Sequence, residues 1–207
     1  MTNGKPLIKI CGIRTVADAL AAAEAGADAV GLVRAPGSKR ELDLKVATEI
    51  SQQVPIPLEP IGVYVEASIS DIESLPTRWI QLHGEETPEE VTRIANTTHR
   101  RVIRGFPFDP NACKAWDAHP QIDILLLDGP NAGSGQGFDH DLLAEVISTL
   151  KTPVIVAGGL TPENVGEIVR TVRPFGVDVS SGVESSPGTK DHGLIKAFCE
   201  AVRDAAK

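Results

Sequence analysis

Cysteine is scarce in this chain of 207 residues: there are three, Cys11, Cys113 and Cys199. They lie far apart, show no CxxC spacing, and leave one thiol over in any pairing. That excludes a disulfide-stapled scaffold and points to a reduced, cytoplasmic setting. Long hydrophobic runs are also missing. No apolar stretch approaches the ~18 residues of a membrane span, and the start MTNGKPLIKI is too short and too polar for a signal peptide. Positive charge is in deficit as well. The formal net charge is -8 and no Lys/Arg cluster offsets it. Nucleic acid and anionic membrane are therefore excluded as main partners, since phosphate backbones need basic patches. An anionic small molecule would have to find local positive potential, from a few Arg or Lys or from helix N-termini. No dinucleotide fingerprint is present. No His/Asp/Glu set falls on successive strand ends with metal-ligand spacing, so neither metal nor cofactor is expected.

What is present is a plain globular composition, 42% apolar and 23% charged. The length fits one domain with a full core, residues 1–207, with no linker in sight. Along it, short β-branched apolar runs alternate with longer segments of helical spacing. The runs fall at 7–13, 29–34, 59–66, 79–84, 101–106, 123–129, 153–159 and 176–184. The first is followed by a helix that Thr15 can cap and Gly26 can end. The second precedes a helix over about 42–54, and the third precedes SISDIESL. The fourth leads to Thr87 with Pro88 at the first helical position, and the fifth to a weak helix near 110–119. A Gly-rich loop and a helix from about 139 follow the sixth. The seventh leads to TPENVGEIVRTV, with Thr161 as the expected cap, and the eighth to a helix over about 191–205.

Continuous apolar runs suit strands covered on both faces, as in parallel sheets. Eight strand–helix units of similar length predict an α/β fold, a single-domain (βα)8 TIM barrel with short loops. The alternative is an open doubly wound sheet. Barrels of this kind carry their sites at the C-terminal ends of the strands. The strand tips here are Cys11, Arg34, His83, Arg104, Asp128, Gly158 with Gly159, and the stretch from Ser180 to Glu184.

Cys11 can be read as a small buried hydrophobe, but its place at a tip before Gly12 favours a chemical role. Asp128 ends ILLLD, where a carboxylate is hard to bury without a partner; capping the Gly-rich loop is the plainer alternative. Gly158-Gly159 and Ser181-Gly182 bring backbone N–H groups to the tips of the last two strands, the usual phosphate site of such barrels. His83 is poised between lining the mouth and packing. His99, His119, His140 and His192 are expected in solvent. Strand alternation adds one inference: if Cys11 points into the mouth, Lys9 points into the interior and needs a buried acid, which Asp178 on the neighbouring last strand can supply.

The motifs KICGIRTVADA, GADAVGLV, GSKR, QLHGEE, LLLD with GSGQGFD, AGGLTPENV, RPFGVDVSSGVE and PGTKD occur in this order through nearly the whole chain. Together they resemble the phosphoribosylanthranilate isomerase family of tryptophan biosynthesis. The resemblance implies an Amadori rearrangement of N-(5-phospho-β-D-ribosyl)anthranilate to the 1-deoxyribulose 5-phosphate ketose. It implies Cys11 as general base and Asp128 as general acid, Arg40 at the anthranilate end, and phosphate at Gly158, Gly159, Ser181 and Gly182. The acid must hold a proton near neutral pH. The base must reach its thiolate, by a lowered pKa or with the substrate's help. Three departures stand out: Arg34 replaces a usual aromatic, Gln136-Gly137 replace Lys-Thr, and His140 replaces an aromatic. Arg34 is expected to give the substrate carboxylate a second cation, and His83 to line the substrate pocket. The partner expected is a small phosphoribosyl compound, with a monomer favoured over a dimer. The loops at 35–40 and 131–137 are expected to move. Other readings are a different phosphosugar-converting barrel, or a phosphate-binding barrel without turnover.

Overall fold

A computed structural model of the chain describes residues 5–129 and 139–207. Eight parallel strands close into a barrel in sequence order: β1 (Leu7–Cys11), β2 (Ala29–Val33), β3 (Glu59–Tyr64), β4 (Trp79–Leu82), β5 (Arg101–Pro107), β6 (Ile124–Asp128), β7 (Val154–Ala157) and β8 (Gly176–Val179). β8 pairs back onto β1, with Lys9 opposite Asp178. The helices between them are α1 (Val16–Ala25), α2 (Leu44–Gln53), α3 (Ile69–Ser74), α4 (Pro88–Thr98), α5 (Pro110–Asp117), α6 (His140–Thr149) and α7 (Val165–Val172). α8 (His192–Ala205) closes the chain. The closed cylinder excludes the open-sheet alternative.

Two shells of apolar side chains hold this arrangement. The larger lies between strands and helices and includes Ile8, Ile10, Leu32, Tyr64, Leu82, Leu127, Val156 and Phe198. The smaller fills the cylinder with Ala29, Ile61, Ile103, Ile124, Leu126, Ile155 and Ala157. Each strand feeds both shells because successive side chains point to opposite faces. Above the inner shell the interior turns polar, with Lys9, Gln81 and Asp178 all buried.

Local sequence explains most helix ends. Thr15 accepts a hydrogen bond from the Asp18 N–H and starts α1, and Gly26 ends it with φ 81°. Thr87 and Glu90 form a reciprocal capping box at α4, with Pro88 in the first turn. Two expectations fail. The cap of α7 is Asn164, not Thr161, and the helix starts later than the Thr-Pro pair suggests. Asn164 instead accepts from the Thr161 N–H and donates to the Gly159 carbonyl, so its side chain serves the β7–α7 loop. The eighth run is also not one strand. It breaks after Val179 into a 3-10 turn (Ser181–Val183) and an antiparallel ribbon of β9 (Glu184–Ser186) and β10 (Thr189–Lys190).

Candidate active site

The C-terminal ends of the strands surround a cavity of about 360 Å³. Cys11, Arg40, His83, Asp128, Gly158, Gly159 and Ser181 all line it. Val33, Val63, Leu126 and Ala157 supply its apolar lining.

Cys11 sits on the inner face of β1, opposite Gly31 of β2. A side chain at Gly31 would put its Cβ 2.7 Å from the Cys11 sulfur, so the thiol occupies the space that this glycine leaves open. Gly12 then turns the chain with φ 75°, and the Arg40 stem lies over it. The Ser180 hydroxyl donates to the Cys11 carbonyl at 3.1 Å, tying the β8 tip to the β1 tip. Burial pushes the Cys11 thiol up; Lys9 and Lys190 pull it down, and Asp178 adds to the rise. The net direction is upward, so the resting base is a protonated thiol rather than a ready thiolate.

Beneath Cys11, the Lys9 ammonium donates to Asp178 at 2.9 Å, and both side chains are buried. The partnership expected from strand alternation is present. Burial pulls the Lys9 ammonium down, but Asp178 and Cys11 together hold it above its ordinary value. Breaking such a pair by removing one member leaves an uncompensated buried charge, at a cost of about 3–5 kcal/mol.

Asp128 ends β6 with its side chain 41% exposed in the mouth. His83 Nε2 lies 3.7 Å from its carboxylate. The other ring nitrogen, Nδ1, is 3.0 Å from the Gln81 side-chain nitrogen. With Gln81 donating, Nδ1 is the acceptor, and Nε2 is the ring nitrogen that faces Asp128. Gly105 on β5 makes room for this ring, since a Cβ there would lie 2.3 Å from Nδ1. Sequence reasoning placed His83 but passed over Gln81, although the period of 2 that points His83 inward does the same for Gln81.

The β7 and β8 tips meet across the cavity wall. Gly158 and Gly159 both have positive φ, 89° and 65°. A Cβ on Gly158 would come within 2.5 Å of the Asp128 carboxylate, whereas one on Gly159 would enter open space. Gly182 lies behind the lining; a Cβ there would approach the Leu160 carbonyl to 1.9 Å. Gly158 thus lets the β7 tip close on β6, and Gly182 lets the β8 turn close on the β7 loop, which sets the Gly158–Gly159 and Ser181 backbones beside one volume.

Arg40 reaches the cavity from the β2–α2 loop. Its Nε and Nη2 donate to the Glu184 carboxylate at 2.7 and 2.9 Å. Lys190 donates to the same carboxylate at 3.0 Å and to the Ser180 carbonyl at 2.8 Å, and the Gly188 N–H donates to Glu184 at 3.1 Å. Burial works against the Glu184 charge, but these partners outweigh it and bring its pKa to about 2. The clamp fixes one edge of the guanidinium and leaves the other for a ligand. Glu184 and Lys190 lie in the SSGVE and PGTKD stretches. Nothing in their spacing announces a shared partner with Arg40.

Two tip residues do not take part. Arg34 is not among the lining residues: its guanidinium donates to the Leu42 carbonyl, so the second cation expected at the substrate carboxylate is turned away. Arg104 points between β5 and the helices, bonded to Glu86 and the carbonyls of Leu82 and Gly84, with its guanidinium 4.9 Å from the Trp116 ring centre. Both follow an inward neighbour, Val33 and Ile103, and the pleat sends them outward. His140 opens α6, 3.5 Å from Glu167. Gln136, Gly137 and the loop 131–137 lie outside the described residues. Among the described residues no group of three His, Cys, Asp or Glu side chains is placed to hold a metal, and no helix is long and apolar enough to cross a membrane.

Residues 8–201 match the family model of N-(5'-phosphoribosyl)anthranilate isomerase. The Pseudomonas fluorescens N-(5'-phosphoribosyl)anthranilate isomerase is 41% identical over 205 residues, covering 94% of this chain and 97% of its own length. A crystal structure of phosphoribosyl anthranilate isomerase with reduced 1-(o-carboxyphenylamino)-1-deoxyribulose 5-phosphate superposes with a TM-score of 0.85 at 35% identity, covering 96% of this chain and 99% of that one. A structure of monomers generated from the dimeric Thermotoga maritima enzyme gives a TM-score of 0.83 at 34% identity, covering 96% and 98%.

Proposed function

The chain belongs to the N-(5'-phosphoribosyl)anthranilate isomerase family, an isomerase of tryptophan biosynthesis, and from that premise we propose that Cys11 is its general base and Asp128 its general acid. The observation that carries these roles is the placement of thiol, carboxyl and the Gly158–Gly159 backbone around a single cavity.

The reaction turns a ribosylamine into an aminoketose with no gain or loss of atoms. Asp128 gives a proton to the furanose ring oxygen. The C1'–O bond breaks as the anthranilate nitrogen lone pair forms the C1'=N bond of an iminium. Cys11, its thiol proton first released to solvent, then takes the C2' proton as the thiolate, and the C–H electrons form C1'=C2' while the iminium nitrogen regains its lone pair. The resulting enolamine gains a proton at C1' and loses one from the C2' hydroxyl, giving the ketose. Each side chain meets a different demand. Asp128 stands in the open part of the mouth beside His83, where the ring oxygen can reach it. Cys11 is nearly closed off from water, which protects the enolamine stage.

The ends of the substrate are held by what surrounds these two groups. Its phosphate lies against the backbone of Gly158, Gly159 and Ser181, with Gly182 behind them holding the β8 turn close to the β7 loop, where small residues admit close approach. Its carboxylate meets the unclamped edge of Arg40, whose other edge is held by Glu184. His83 lines the wall between them. With Arg34 bonded elsewhere, Arg40 serves the carboxylate without it.

The test is turnover followed by loss of substrate fluorescence. Cys11→Ala and Asp128→Asn are each expected to lower kcat by ~10²–10⁴-fold while leaving the melting temperature near that of wild type. A folded variant of either kind that keeps nearly the full rate removes the corresponding role. If both bind phosphate and the wild type itself shows no turnover, the chain is a binding barrel instead.

A further inference from the structure

One buried cation in the barrel has no part in the chemistry above: Lys9, fully enclosed, two residues before Cys11 on the same inward face of β1. A barrel interior of this size is ordinarily filled by branched apolar side chains, and burying an ammonium is costly even when it is paired. Three observations bear on why it is there. The strand register sets Asp178 of β8 directly opposite Lys9, and the two join at 2.9 Å. Lys9 also lies one inward position below Cys11 on β1, and each acts on the charge of the other. Asp178 reaches the cavity lining just below the thiol, so the pair forms the floor on which the sulfur rests.

We propose that Lys9 is the counter-ion of the Cys11 thiolate and that Asp178 keeps this ammonium in place, making both positioning residues for the base. The inference rests on the reading of Cys11 as base. An ion pair serving packing alone would have no reason to lie next below the thiol. Here the ammonium is bonded to a carboxylate and sits one inward position from Cys11 on the same strand. When the thiol loses its proton, the new negative charge appears beside a preorganised cation in a site poor in water. Asp178 has its own function in this geometry: without a carboxylate an enclosed lysine tends to neutralise, and a neutral amine stabilises nothing.

The other charged groups around the sulfur come from separate elements. Lys190 of β10 and Arg40 of the β2–α2 loop both act on it from the opposite side, each already held by Glu184. Asp178 opposes the thiolate, and itself feels Asp128 and His83 across the mouth. Lys9 is the member of this set that approaches from beneath, on the sulfur's own strand, and its place does not depend on the loops that surround a bound substrate.

The experiment measures Cys11 itself rather than turnover alone. Iodoacetamide labels the purified protein across a pH series, and mass spectrometry follows the Cys11 peptide. Cys113 and Cys199 are internal references, because burial pushes their thiols to about 11 and about 12. Lys9→Met is expected to move the Cys11 labelling profile to higher pH by a unit or more, about a tenfold loss of labelling at a fixed pH below the transition. The pH profile of kcat should move with it while KM stays within about twofold. Lys9→Arg should restore most of both. Lys9→Met with Asp178→Asn removes the two charges together, leaves no unpaired ion in the core, and should show the same upward displacement if the single variant does not fold.

Labelling and kcat profiles that coincide with wild type in a folded Lys9→Met protein, or in the double variant, overturn the proposal. Failure of the base assignment looks different. In that case Cys11→Ala keeps its activity, while the labelling of Cys11 in the Lys9 variants still reports whether the ammonium governs the thiol.

Discussion

A methyl group's worth of space decides where the thiol of Cys11 can stand. Gly31 leaves that space on the next strand, in register with Cys11, and a Cβ there would press on the sulfur at 2.7 Å. Gly31→Ala is therefore expected to displace the thiol, lowering kcat by roughly 10–100-fold and stability by about 1–3 kcal/mol, with KM less affected. Steady-state kinetics together with thermal unfolding of the variant checks this. A wild-type kcat would mean that the sulfur's position is not critical. In the sequence, GLV reads as an ordinary buried strand, and nothing marks Gly31 as a partner of Cys11. The inward direction of Lys9, by contrast, was legible, because it follows from Cys11 by the two-residue period of a strand. The same rule, applied with the phase of β2, would have turned Arg34 away from the mouth. That phase is set by which face the barrel buries, and a run that is apolar on both faces does not reveal it.

The segment between β8 and α8 shows how an element too irregular to predict can organise a site. Its 3-10 turn packs Gly182 against the Leu160 carbonyl, and its ribbon carries Glu184 to Arg40 and Lys190 to Glu184. Glu184→Gln keeps the shape and weakens two charge-assisted bonds to Arg40. The freed guanidinium should raise KM about tenfold with a smaller change in kcat, measured from initial rates. An unchanged KM would separate Arg40 placement from Glu184. Helices with strong end signals were readable: Thr87-Pro88 starts α4 and Gly26 ends α1, because capping is settled by a few consecutive residues. At α7 the same kind of signal misled. Thr161-Pro162 looks like a start, yet Asn164 is drawn to the Gly159 carbonyl and the helix begins after it. The competing bond belongs to a loop whose shape depends on β8, so the local pattern cannot resolve it.

For the molecule as a whole, acid is the condition that tests the charge network. Glu184 has its pKa brought to about 2 in the folded chain, against about 4.3 for an unperturbed glutamate. A depressed carboxylate adds stability that is complete above its unfolded value and is lost as pH falls toward its folded one. The melting temperature of the wild type should thus fall more steeply than that of Glu184→Gln between about pH 4.5 and pH 2. Parallel curves would show that the clamp adds little to global stability. The net charge of -8 lies outside this argument, since it bears on partners and solubility rather than on which contacts form.

Sequence alone determined the alternation of eight strands and helices, hence the barrel, and with it the rim on which Cys11, His83, Asp128 and the paired glycines had to gather. These follow from short-range periodicity and from a fold that carries chemistry at one end of its strands. Tertiary structure decided which tip residues face the cavity, which glycine yields room to the thiol, and how Glu184 gathers Arg40 and Lys190 from separate segments. Those outcomes depend on strand phase and on contacts between residues far apart along the chain, and neither leaves a local signature.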